Sequence, residues 1–330
     1  MMRFQPSWIL ESLPPEAVAS IFLPLSPRPH SLLWFKRLGI RIFANDPVES
    51  RAMLLRVLLG SDSETLSDQN RRKFNRIIKK PLEMQMNPFR TWENRPFSTS
   101  QLDYLFYWRE AAFEISETSQ REIFWSAVYG VMAYWLTMLA TGMAPAFPPD
   151  ELLGFMLRRR EERLVPGQEK VYPLHMPIDE LGEEVEAELF AVPLLFQGRK
   201  PLETDHDVMF HAWFRGNPDL HAAVGEIDNA RKGWVYRWRE GCDARAMLTK
   251  AGKASYAAFT WSGADLSPLW HEEHVARCLR ETFASRFPKS VLRIKASDAA
   301  RDDFDFLLTM AAPGHELSPG DASTGVRNQP

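Results

Sequence analysis

The chain has 330 residues, 45% apolar and 25% charged, with a net charge of −3, which excludes disordered, collagen-like and strongly basic nucleic-acid-coating classes. Two cysteines, Cys242 and Cys278, are too few for a disulfide framework. The first apolar run is broken by Glu11 and Pro14, so no signal segment is expected and the reading is a cytoplasmic protein.

In chain order, Pro6–Leu13 reads as a short helix and Ser20–Leu25 as an apolar strand. A Pro-rich turn over 24–29 leads into the helix-like SLLWFKRL, with Gly39 placed to end it. Ile40–Ala44 is a β-branched run that stops at Asn45-Asp46, and Val48–Leu59 carries Met53, Leu54, Val57 and Leu58 at helical spacing. Strand, helix, strand, helix opens a parallel α/β sheet over residues 1–82.

Residues 83–163 read as a helical insertion, with capping boxes expected at Ser98 with Gln101 and at Ser119 with Glu122. Within it, Ile123–Ala140 is eighteen residues without a charge. Its aromatic residues run through its length instead of gathering at its ends, so a buried central helix is expected and no membrane contact. The stretch 164–312 resumes the α/β domain. Its strands are VYPLHMP, ELFAVPLLF, DVMFHAWF, GWVYRW, ASYAAFTW, SVLRIKAS and DFDFLLTM, with one helix at Glu272–Phe287. Residues 313–330 lack apolar periodicity and are expected to form a disordered tail.

The strongest local signal surrounds Asp46. An acidic residue at the carboxyl end of a strand is where a nucleotide-type fold offers a carboxylate to two ribose hydroxyls. Asn-Asp-Pro is equally good turn chemistry, which leaves a plain cap as the alternative. The stretch WFKRLGIRIFANDPVESRAMLLRVLLGSDSETLSDQ, residues 34–69, resembles Dam-type adenine-N6 DNA methyltransferases, and a looser similarity of element order extends over residues 6–312. The resemblance implies a Rossmann-like S-adenosylmethionine-dependent methyltransferase sheet with an inserted helical subdomain.

That family's working residues are then sought one by one. Its Phe-x-Gly-x-Gly donor loop would fall on 24–30, where Pro27 and Pro29 stand in place of the two glycines. Proline fixes φ and deletes an N–H, so both changes oppose close approach of a donor. Its Gly-x-Lys signature should precede Trp8, where the sequence has only Arg3-Phe4-Gln5-Pro6-Ser7. Its Asp/Asn-Pro-Pro-aromatic tetrad, which accepts from the adenine amino group and stacks on the flipped base, is assigned by position to Ala258, Phe259, Thr260 and Trp261. Only an aromatic survives there, and Asp46 remains as a vestigial donor-binding residue.

The resulting expectation is a catalytically inactive, DNA-adenine-methyltransferase-like protein, without a bound cofactor, that acts as a nucleic-acid- or protein-binding scaffold. The alternative is a divergent site-specific DNA adenine-N6 methyltransferase that uses S-adenosylmethionine. DNA-contact candidates are Arg72, Arg76, Lys79, Lys80, Arg158, Arg159 and Arg160, basic residues clustered on helical stretches. A solvated helix face is the competing account of that cluster. His271, His274 and Cys278 share a helix face, and Asp205, Asp207 and His211 would share a strand face. Neither set is assigned a metal.

Overall fold

A computed structural model describes residues 5–14, 16–27, 29–60, 65–77, 86–93, 96–162, 171–177, 180–181, 185–196, 206–231, 235–236, 249–262, 272–298 and 303–318. The chain divides into two units. Met1–Leu55, Gly167–Arg199 and Ala230–Pro330 form the first, and Arg56–Pro166 with Lys200–Asn229 form the second. The insertion thus begins at Arg56 rather than after Leu82, and it takes a second segment that the sequence placed in the α/β domain.

The first unit is built on β1 (Ser20–Leu23), β2 (Arg41–Asn45), β3 (Val171–Leu174) and β4 (Leu189–Pro193). The strands β5 (Leu195–Phe196) and β6 (Val235–Tyr236) form a separate small parallel pair, and β7 (Tyr256–Ser262), β8 (Lys289–Asp298) and β9 (Asp303–Ala311) complete the set. One seven-stranded sheet has the order β3-β2-β1-β4-β7-β9-β8. Its first five strands are parallel, and β9 is antiparallel to both β7 and β8. β1, β4 and β7 are buried along their whole length. Their unbroken apolar runs are what strands covered on both faces require. Chain order reverses at β1: β2 and β3 lie on one side, β4 and β7 on the other. The crevice between the carboxyl ends of β1 and β4 is therefore the topological switch point, where α/β sheets place their ligands.

Helices α1 (Pro6–Glu11), α2 (Pro29–Arg37), α3 (Glu49–Leu55) and α10 (Glu272–Phe283) belong to this unit. From α10, Val275, Leu279 and Phe283 enter a core with Phe22, Phe190 and Phe259. Each buried side chain of this kind contributes about 1.5–3 kcal/mol. α2 ends as its sequence requires: Gly39 takes φ +72°, and the Ile40 N–H reaches back to the Phe35 carbonyl at 3.1 Å. The expected free tail is corrected over its first residues. The Ser318 N–H donates to the Ser12 carbonyl at 3.2 Å, and Lys289 pairs with Glu316. Residues 319–330 lie outside the described ones.

The second unit contains a π-helical turn at Arg56–Gly60, α4 (Asp68–Ile77), a 3-10 turn at Pro88–Trp92, and α5 (Thr99–Phe113). The helices α6 (Thr118–Ala140), α7 (Pro149–Glu162), α8 (His206–Arg215) and α9 (Leu220–Ala230) follow. The expected box at Ser98 and Gln101 is present, with both reciprocal bonds made. The second box is absent. α6 starts at Thr118 without a side-chain cap, Ser119 lies inside its first turn, and Glu122 instead pairs with Arg56 at 2.6 Å.

α6 is, among the described residues, the one helix long and apolar enough to cross a membrane. Yet 61% of its apolar window is buried within protein, as in a core helix. The expected strand DVMFHAWF is α8. Val208, Met209, Phe210, Ala212 and Trp213 are all buried, and a short run enclosed on every side carries no helical period. Trp213 anchors this helix by donating from Nε1 to the Leu105 carbonyl at 2.8 Å.

Candidate functional site

The carboxyl ends of β1, β2 and β3 are stitched together by Asn45, Asp46 and Arg51. Asn45 is fully buried at the end of β2. Its Nδ2 donates to the Pro24 carbonyl at 2.9 Å and the Met176 carbonyl at 3.1 Å, while its Oδ1 accepts from the Met176 N–H at 2.9 Å. The Asn45 carbonyl accepts from the Ser26 N–H at 2.7 Å, which holds the turn after β1 against β2. The backbone of β2 continues the lattice, since the Asp46 carbonyl lies 3.0 Å from His175 Nδ1.

Asp46 is 0% exposed. Its Oδ1 accepts from the Val48 N–H at 3.0 Å, which caps the start of α3, and its Oδ2 accepts from Arg51 Nε at 2.7 Å. Arg51 is the third residue of α3, five positions after Asp46, and its guanidinium reaches back over the strand end. The same guanidinium donates from Nη2 to the Ser26 carbonyl at 2.9 Å. A charge-assisted pair therefore closes the space between the β1 turn and the β2 end, and both carboxylate oxygens are engaged. Pro27, in that turn, is buried too.

The tetrad assignment needs correction. Ala258, Phe259, Thr260 and Trp261 do not end a strand. They lie inside β7, 0–3% exposed; Ala258–Thr260 pair with Ala191–Pro193 of β4 on one side, and all four pair with Phe306–Thr309 of β9 on the other. The assignment by position put the tetrad on β7, whereas the switch point is flanked by β1 and β4. β4 ends in Val192 and Pro193 and is followed by Leu194, all buried and none offering a side-chain acceptor.

The basic candidates fare unevenly. Arg160 is buried, and its Nη2 donates to the Val57 carbonyl at 3.3 Å, so it is removed from the set of surface contacts. Arg72, Arg158 and Arg159 are exposed, and Arg159 sits over the Phe155 ring at 6.0 Å. Lys79 and Lys80 and the Arg76 side chain lie outside the described residues. Sequence reasoning also missed an open groove of about 320 Å³, lined by Asn75 of α4 and by Phe147, Asp150, Glu151, Phe155 and Arg158 on and before α7.

Of the proposed metal-type clusters, His271 and Asp205 lie outside the described residues. The His274 ring is flanked by Arg277 at 3.2 Å and Cys278 Sγ at 3.5 Å. Asp207 accepts from Tyr129 Oη at 3.2 Å, and His211 Nε2 lies 3.0 Å from Glu226. Among the described residues no three His, Cys, Asp or Glu side chains are grouped to hold a metal ion. No protein-family model and no curated protein matches the chain.

Proposed function

We propose that this chain is a methyltransferase-like module that transfers no methyl group and works by binding, with a protein surface as its partner. One observation carries the reading: the Asp46 carboxylate is wholly buried and held by Arg51, whose guanidinium also binds the turn after β1. The sheet supports the methyltransferase-like half of the proposal. A parallel run that reverses at β1, with antiparallel β9 inserted between β7 and the edge strand β8, is compatible with the Rossmann-like sheet the Dam-type resemblance implies.

S-adenosylmethionine would need a free carboxylate for its ribose, a loop of bare backbone beside it, and an acceptor at the end of β4. The residues present do not fit it. Asp46 is capped and paired, and the Ser26 N–H is committed to Asn45. β4 ends in Val192-Pro193 and is followed by Leu194. The choice of a protein partner over DNA follows from the second unit's exposed surface near α7. Phe147, Phe155 and Met143 are 41–55% exposed there, beside charges of both signs, whereas a phosphate track calls for a continuous basic stripe.

Isothermal titration of the whole chain with S-adenosylmethionine tests the reading. No saturable heat is expected at ligand concentrations up to about 1 mM. Saturable binding in the micromolar range overturns it.

A further inference from the structure

The outward stripe of α7 is antisymmetric in charge. Glu151 and Arg158 are seven residues apart, two turns or about 10.5 Å along the axis, and point in nearly the same direction. Both are exposed, and neither has a hydrogen bond or ion pair among the described residues. Midway between them lie Gly154 and Phe155, the latter 41% exposed with its ring parallel to that of Phe147 at 6.3 Å. On the opposite side of the helix Leu152 and Leu153 are buried. A stripe that is acidic at one end, basic at the other, and apolar with a missing side chain at its midpoint complements itself under a two-fold rotation.

We infer that α7 is a self-association surface and that its occupant is a second copy of this chain, packed antiparallel across a two-fold axis between residues 154 and 155. In that arrangement Glu151 of each copy meets Arg158 of the other, giving two equivalent ion pairs. The two Phe155 rings meet beside the axis. A nucleic-acid strand complements the stripe poorly, because its uniform negative charge would lie across Glu151 as well as Arg158. One helix face is small beside the roughly 800 Å² per partner of a stable interface, so the association is weak. This inference does not depend on whether the first unit binds a methyl donor.

Analytical ultracentrifugation of the whole chain from about 1 µM to several hundred micromolar tests it. The mass should rise from 38.0 kDa toward twice that value. Glu151→Arg and Arg158→Glu, each made alone, set like charges against each other twice and should weaken association about tenfold or more. Mixing the two variants in equal amounts should restore it, since each copy then brings the charge the other lacks. The doubly reversed chain should also self-associate as the parent does. Both positions are exposed, so unchanged circular dichroism is expected and confirms folding. A mass that stays at the monomer value, or association indifferent to the single reversals, overturns the inference. So does a labelled oligothymidine that binds the parent chain and is released by Phe155→Ala or Arg158→Glu, which would make the stripe a nucleic-acid surface.

Discussion

Replacing Arg51 with leucine should destabilise the first unit more than any conservative change at Asp46. Arg51 contributes an ion pair at 2.7 Å to a carboxylate with 0% side-chain exposure, while its own side chain is 12% exposed. Removing one partner of a buried pair costs about 3–5 kcal/mol, and the small exposure of the guanidinium places this case near the lower end. The Ser26 carbonyl also loses its donor, adding about 1 kcal/mol. Arg51→Leu should therefore cost about 4 kcal/mol, well above the roughly 0.5–2 kcal/mol of an ordinary helix cap. Asp46→Asn keeps an oxygen for the Val48 N–H and leaves a guanidinium that can reach water, so about 1–2 kcal/mol is expected. The double variant should cost less than the sum of the two, by roughly 1–3 kcal/mol, because each single change strands the other's partner. Urea unfolding followed by near-ultraviolet circular dichroism measures all three. Additive single costs, or an Arg51→Leu cost below about 1 kcal/mol, would refute the argument that the pair closes the strand end.

Replacing Ala258, Phe259, Thr260 and Trp261 by Asp-Pro-Pro-Tyr should unfold the first unit and leave no methylation of unmethylated duplex DNA. It puts a carboxylate and two prolines inside a buried strand paired on both sides. A folded, methylating variant would show that β7 does border a working site. Gly216→Ala should cost about 2 kcal/mol by thermal unfolding: Gly216 takes φ +74°, and a Cβ there would displace the Arg109 guanidinium whose Nε binds the Trp213 carbonyl at 3.0 Å. In an Arg109→Ala background only the backbone part of that cost should remain. Burial, and then the charge of Glu316, raise the Tyr256 phenol above its ordinary value. The folded state thus holds its proton where the unfolded chain releases it, so stability contributed by this group is present below about pH 10 and falls as pH rises past it. Melting curves of Tyr256→Phe at alkaline pH should show a shallower decline than those of the parent chain.

The parallel strands were legible because a strand covered on both faces must be apolar throughout, and SIFL, LFAVP and ASYAAFTW say so directly. The same logic misread α8, whose VMFHAW run is just as apolar because helices enclose it. Its ends carried the correct signal, with Asp207 in the first turn, Arg215 in the last, and Gly216 following. α9 was overlooked although Asp219 caps it, accepting from the His221 N–H at 2.9 Å. At the candidate site, Asp46 could be found because strand ends are marked in sequence by a change of composition. Arg51 could not, since its meaning depends on the angle at which α3 leaves β2 and on where Ser26 comes to rest. The tetrad positions fell on β7 and not beside the switch point for a related reason: lateral order in a sheet is a property of crossovers, and nothing in the spacing of strands along the chain reveals which two flank the switch point.

The edge position of β3 has a kinetic side. β3 is hydrogen-bonded to β2 from Ile42↔Val171 through Asn45↔Leu174, yet most of the second unit intervenes in sequence. Closing a flexible loop of that length costs about 4 kcal/mol of chain entropy, and the reward is a four-residue ladder. β1 and β2, separated by a single short helix, meet no such barrier. The sheet should thus nucleate on β1 and β2, with β3 and β4 both added across long loops and the lattice around Asn45 and Met176 fastening only when β3 arrives. On this account the lattice beside Asp46 is a late product of assembling the first unit, completed only when the end of β3 is tied into it.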